Sequence, residues 1–361
     1  MKLYFSILLA ITCASAAAQS GRVVKSVFLQ DISWVEATKV LTPSTVVVIP
    51  LGAGSKEHGP HLLLSTDLIQ AEYFKDEVAR RDSVVIAPTI TYSYYPPFLS
   101  YAGSTSLSLF TSRNMVVDIV RSLAGYGPRR FYIINEGITT LVTLELAAKL
   151  LREEGIILGF SDYTRPSYEE AENRIRTRAT GTHADEMETS NILWMRPQAV
   201  NMSKAVDDTM AKVRTGPILS PVKRENTTYT PSGVFGYATL ATKEKGKKNT
   251  EAVVRQMMMD IDSIRHCALP SPPDHTSAYA GYTGSYSFGN GKKLLISVVN
   301  NQLQYVIDGR SLVGIYPLLP YGKDHFCSQQ LDMLFLRSEN NEVEKAWCNS
   351  ASGEFWAIKE K

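Results

Sequence analysis

Apolar and polar positions follow two different rhythms along the chain. From Val46 to Tyr163, short unbroken apolar runs alternate with longer stretches whose apolar residues recur every three or four positions. The unbroken runs are VVVIPLG (Val46–Gly52), SVVIAPTI (Ser83–Ile90), RRFYIIN (Arg129–Asn135) and GIILGFSDY (Gly155–Tyr163). Continuous β-branched runs of this length fit strands buried on both faces. The longer stretches, 68–80, 114–126 and 140–154, predict helices. Leu68, Ala71, Phe74 and Val78 line one side of the first; Met115, Ile119 and Leu123 line the second, which Gly127-Pro128 stops. Strand–helix alternation predicts βαβ units, a mostly parallel sheet and helices on both of its faces. Ligand sites in such sheets lie at the carboxyl ends of the strands.

After ALPSPPDHTS, a Pro/Ser-rich linker over 268–277, the period shortens to two. Runs such as YTGSYSF, KKLLISVVNNQLQYVI and GEFWAIKE are separated by Gly-Asn-Gly, Asn-Asn, Asp-Gly and Glu-Asn-Asn turns, which signal hairpins. Residues 278–361 therefore read as a small all-β domain and residues 19–267 as the α/β domain. Residues 1–18 have a third character: Lys2, an apolar run from Leu3 to Ala14, then Ala16-Ala17-Ala18. This is the pattern of a secretory signal, so the mature chain is expected to be exported, to a periplasm or outside the cell. No later segment has the roughly 18 apolar residues of a membrane span.

Composition adds limits. The 361 residues are 44% hydrophobic and 20% charged with a net charge of +2, which is ordinary for a globular chain. Nucleic acid and anionic membrane are not expected partners. Of the cysteines left after the signal, Cys327 and Cys348 could bridge neighbouring C-terminal strands, with Cys267 over; three free thiols fit as well.

Candidate chemistry concentrates in two places. Immediately after the first strand, Glu57, His58, His61 and Asp67 fall within eleven residues, and the whole chain has only six histidines. Imidazole and carboxylate are the ligands that zinc, manganese or iron accept. Gly59-Pro60 turns the chain so that these side chains can converge, and Asp67 could cap the next helix or bridge two metals. The second place is GTHADEMETSNILW, 181–194. Thr182-x-x-Asp185 reads as a capping box, with His183 and Glu186 on one helical face and Glu188 rotated away. Tyr92, Tyr94, Tyr95 and Trp194 are core or pocket-lining candidates. No G-x-S-x-G elbow is present, so serine hydrolase chemistry is not supported.

GSKEHGPHLLLSTD followed by GTHADEMETS resembles the signature of the creatininase family, creatinine amidohydrolases, in order and spacing from about residue 27 to 265. Tyr101-Ala102-Gly103-Ser104 loosely matches the family's Pro-Gly-Thr segment. Ile134-Asn135-Glu136-Gly137 stands at its Asn-Gly-His. The resemblance implies a three-layer α/β/α fold, often hexameric, whose site holds two divalent metals (zinc, manganese or iron) and hydrolyses C–N bonds. The implied substrates are cyclic amides, formamides or a short peptide tail. Glu57, His58 and Asp67 are the expected metal ligands, with Glu188 or Glu186 completing the shell; His183 is the expected acid, with Glu186 beside it in catalysis, although His183 as a ligand stays open. Two positions depart from the pattern. Lys56 stands where the family's Glu falls if His58 is fixed. Glu136 replaces a histidine, which leaves it as the candidate second-metal ligand and one or two metals per chain open. The readings are an amidohydrolase, a metallopeptidase on the same site, or a non-catalytic binding protein on this fold. Tyr279-x-Gly-Tyr282-x-Gly284-x-Tyr286 and Leu319-Pro320-x-Gly322-x-Asp324-x-Phe326 resemble the lipocalin-like accessory domain that follows exported serine hydrolases of the β-lactamase type. That implies a packing or lid role.

Overall fold

The structure, a computed structural model, describes residues 26–178, 181–209, 218–289, 291–307 and 316–360. The expected signal, 1–18, lies outside them. Strands β1 (Val27–Phe28), β2 (Val46–Leu51), β3 (Val85–Ile86), β4 (Arg130–Asn135) and β5 (Ile157–Phe160) form a parallel sheet in the order β1-β3-β2-β4-β5. Helices α1 (Trp34–Val40), α2 (Thr66–Arg81), α3 (Leu109–Ala124), α4 (Leu141–Arg152), α5 (Pro166–Asn173), α6 (Glu186–Met195) and α7 (Lys243–His266) surround it. Two small two-stranded pieces, β6 (Asp207–Asp208) with β9 (Gly236–Tyr237) and β7 (Ile218–Ser220) with β8 (Thr227–Tyr229), lie between α6 and α7 in the chain.

Alternate residues of each central strand serve opposite layers, as a strand's period of two requires. Val47, Ile49 and Leu51 of β2 and Phe131 and Ile133 of β4 pack on Val116, Val117 and Val120 of α3 and Leu144, Ala147 and Leu151 of α4. Val46, Val48, Tyr132 and Ile134 pack instead on Phe74 and Val78 of α2 and Val253, Val254, Met257 and Ile261 of α7. The fold is three-layer α/β/α. Two expected bounds shift. The second strand shrinks because Pro88 interrupts the ladder, although Ile90 N still donates to Pro50 O at 2.8 Å. Helix α3 starts five residues earlier than 114 because Ser108 caps it, accepting from Thr111 N at 3.3 Å.

From β2 the chain moves to β3 on one side and later to β4 on the other. The carboxyl ends of β2 and β4 therefore frame a crevice at the point where strand order reverses, the usual place for a ligand.

The C-terminal part is a closed antiparallel barrel of β10 (Gly284–Phe288), β11 (Lys292–Val299), β12 (Gln302–Ile307), β13 (Tyr316–Gly322), β14 (His325–Cys327), β15 (Leu331–Arg337), β16 (Val343–Ser350) and β17 (Gly353–Lys359). Its interior is filled by Tyr286, Leu294, Leu303, Leu318, Met333, Phe335 and Ala346. The short helix α8 (Thr276–Ala280) occupies the end of the expected linker. The Cys327–Cys348 bridge is not formed: β15 runs between β14 and β16, with Cys327 opposite Asp332 and Cys348 opposite Met333. All three described cysteines are free thiols. The barrel docks on the α3–α4 layer. Tyr321 enters that core and its hydroxyl donates to Asp118, while Arg121 Nη2 donates to Pro320 O at 3.0 Å. No helix among the described residues is long and apolar enough to cross a membrane.

Candidate metal centre

Strand β2 delivers the chain to the crevice, and Gly52 lets it turn there. A Cβ at Gly52 would stand 2.4 Å from the Asp67 carbonyl oxygen, so only glycine allows the first turn of α2 to lie against the strand end. Asp67 has no exposed surface and its carboxylate does not cap α2. It turns back instead: Oδ1 lies 2.7 Å from His58 Nε2 and Oδ2 lies 2.7 Å from Lys56 Nζ. Lys56 is 5% exposed, with its ammonium 4.9 Å from the Phe98 ring centre and 5.6 Å from that of Tyr95.

The second segment arrives differently from the expected capping box. Asp185, not Thr182, caps α6, accepting from Met187 N and Glu188 N at 3.0 and 3.1 Å. Burial pushes the Asp185 carboxyl up to about 7. His183 lies before the helix, in an extended bridge to Phe235, and Ala184 turns the chain with a φ of +48°. Positions two apart on a helix face nearly opposite ways, so only one of Glu186 and Glu188 can face the crevice. Glu188 does, with Oε1 at 3.5 Å from His58 Nε2 and Oε2 at 3.8 Å from His183 Nδ1. Glu186 faces away, accepting from Lys245 Nζ at 2.6 Å and Thr177 N at 2.8 Å. The structure thus separates Glu186 from His183, contrary to the expected shared face.

Glu57 stands behind His183, Oε2 to Nε2 3.0 Å, rather than beside His58. The other Glu57 oxygen accepts from Gly59 N. Gly233, at a φ of +78°, passes so close that a Cβ there would overlap this carboxylate. Burial opposes both charges, but their attraction wins: His183 is raised and Glu57 lowered from their ordinary values. Burial likewise opposes the Asp67 charge, and Lys56 and His58 outweigh it. Glu136 follows β4 and is pushed well above the usual carboxylate range, chiefly by burial; Tyr163 donates to both its oxygens at 3.0 and 3.1 Å. His61 sits apart, Nε2 to Thr189 Oγ1 at 2.7 Å, and burial lowers it to about 4, so it is a neutral imidazole at physiological pH. Tyr95 joins the cluster, whereas Tyr92 is exposed and Trp194 bonds Tyr73. Sequence reasoning did not single out Phe98, Tyr163 or Gly233; none sits in a motif, and only the folded chain brings them here.

The donor set fits a divalent ion. His58 Nδ1 is engaged with the Lys56 carbonyl at 2.8 Å. With Nδ1 engaged, Nε2 is the nitrogen that faces both carboxylates, as a protonated donor or as a ligand to a shared cation. One ligand atom each from His58, His183 and Glu188 lies within 4.8 Å of the others; Glu57 engages His183 Nε2, which leaves His58 and Glu188 as ligands and His183 Nδ1 beside the ion.

Fold and site together define a three-layer α/β protein with a buried imidazole–carboxylate metal centre at its switch crevice. Residues 30–261 match the creatininase family, described as creatinine amidohydrolase, and the chain belongs to that family. Creatinine amidohydrolase of Pseudomonas putida is 27% identical over 261 residues, covering 67% of this chain and 97% of that one. The mycofactocin precursor peptide peptidase of Mycobacterium tuberculosis is 29% identical over 252 residues, covering 65% and 91%. A crystal structure of creatinine amidohydrolase superposes with a TM-score of 0.54 at 25% identity, over 66% of this chain and 97% of that one. A creatininase structure with Mn gives the same TM-score and identity.

Proposed function

We propose that this chain is an exported metal-dependent hydrolase that cleaves a C–N bond in a small amide or a short peptide. The observation that carries the reading is His58 Nε2, which lies 2.7 Å from Asp67 Oδ1 and 3.5 Å from Glu188 Oε1. A divalent ion there (zinc, manganese or iron) supplies electrophilic polarisation of a carbonyl and lowers the pKa of water from about 16 toward about 7. The other groups then have separate tasks. Glu57 holds His183 by Nε2 and leaves Nδ1 facing the Glu188 side. From there His183 can take a proton from water and return it to the leaving nitrogen, the work of a general acid–base. Phe98, with its ring centre 4.6 Å from that of His183, fixes the imidazole plane. The relatives' names support both substrate classes, since one is a creatinine amidohydrolase and another a peptide peptidase.

The test is hydrolysis of a panel of cyclic amides, formamides and short peptides by the metal-loaded protein, with and without a chelator. Turnover that the chelator abolishes, and that His183→Gln lowers without releasing metal, supports the proposal. Preference within the panel then separates amide from peptide substrates. A protein that binds no divalent ion, even after reloading, overturns it.

A further inference from the structure

Asp67 is the most enclosed charge of the centre, and its two oxygens serve two different groups. Oδ1 turns to His58 and the metal side, while Oδ2 turns to the Lys56 ammonium 2.7 Å away. The lysine is not a surface side chain that wandered inward. Its backbone N–H donates to Leu64 O at 2.8 Å, and its carbonyl accepts from His58 Nδ1 at 2.8 Å, so the residue that positions the imidazole also delivers the ammonium. Phe98 and Tyr95 present their ring faces to it, and its charge is felt at Glu136. Such an enclosed cation persists only beside a compensating anion. Here the anion is Asp67.

A carboxylate that offers one oxygen to each of two cations is the arrangement of a bridged metal pair. In this chain one of the two cations is covalently attached. An ion bonded to Oδ2 would need to sit about 2.0–2.2 Å from it, where the ammonium already stands. Like charges so close repel strongly in an enclosed site. With His58 taken as fixed, the resemblance places a carboxylate where this chain has Lys56.

We propose that the Lys56 ammonium is the built-in second cation of this centre, so that the protein takes up a single divalent ion, at the His58–Asp67–Glu188 side. The inference rests on reading the crevice as a metal centre.

The experiment is metal stoichiometry by native mass spectrometry and elemental analysis, on the full chain titrated with Zn(II) and separately with Mn(II), for wild type and Lys56→Glu. The expected result is one ion per chain in wild type and two in Lys56→Glu, where a carboxylate replaces the cation. Should Lys56→Glu fail to fold, Lys56→Gln serves: removal of the neighbouring positive charge should tighten the first ion by about tenfold or more. Two ions in wild type overturn this inference and leave the metal centre standing. No ion in wild type overturns the metal centre and this inference with it. One ion in both wild type and Lys56→Glu, or unchanged affinity in Lys56→Gln, also overturns it, because Lys56 would then not be what excludes the second ion.

Discussion

The crevice at the ends of β2 and β4 and the interior of the barrel are both closed to solvent, and they are filled in opposite ways. The crevice buries Lys56, Glu57, His58, Asp67, Glu136 and His183. The barrel buries Tyr286, Leu294, Leu303, Met333, Phe335 and Ala346. The difference follows from the backbone. In the barrel the main-chain groups are spent on the ladder, and alternation sends one apolar side chain inward at every second position. Past the ends of parallel strands the chain is irregular, so free amides and carbonyls such as Gly59 N and Lys56 O remain to satisfy buried charges. Charge is tolerable where backbone partners and counter-charges converge, and there the chemistry sits.

Four experiments test the contrast. The largest effect is expected from Asp67→Ala, which removes a metal ligand and leaves Lys56 as an uncompensated buried charge. It should lose the bound ion and about 3–5 kcal/mol of stability, read by elemental analysis and denaturant unfolding. Phe335→Ala, in the barrel interior, should cost a similar 3–5 kcal/mol or so. Yet the folded fraction should keep the wild-type metal content; loss of metal there would break the contrast by showing that the two interiors are chemically linked. Glu57→Gln comes third, since Glu57 touches His183 rather than the ion. Turnover should fall by about 10–100-fold with the fold intact, while Glu186→Gln, on the far face of α6, should leave turnover unchanged. The smallest effect concerns Asp324 at the barrel rim. Burial pushes its carboxyl up, but hydrogen bonds from Arg337 and Tyr282 outweigh this and hold it below 3.8. A lowered folded-state value stabilises above the unfolded value and is lost as pH falls. Asp324→Asn should thus cost about 1 kcal/mol or less at pH 7, and progressively less as pH falls below the unfolded value, in thermal melts across that range.

Much of this was legible in the chain. The continuous run Val46–Gly52 announced a strand buried on both faces, and turn chemistry announced the hairpins. Barrel closure was not legible, because pairing of β10 with β17 joins segments some seventy residues apart. Hairpin pairing of consecutive strands, rather than closure, interposed β15 between the two cysteines. At the site, His58 stands beside Asp67 and Glu188, while Glu57 lies behind His183 and Glu186 faces away. A two-residue step on α6 decided Glu186, and a glycine turn aimed Glu57 at His183. Lys56 was legible only as a mismatch; its function as a counter-ion needed the fold.

Tyr321 gives the barrel a stake in the other half of the molecule, because this barrel side chain lies in the hydrophobic core beneath α3 and α4. A chain truncated after Cys267 would retain every residue of the metal centre and still be an incomplete folding unit. It would show an apolar scar on the α3–α4 layer, with Asp118 deprived of the Tyr321 hydroxyl and Arg121 left with Glu154 but without the Pro320 carbonyl. The consequence is cooperativity across the linker: intact protein should melt in one calorimetric transition, and the truncated chain should self-associate through the face the barrel once covered.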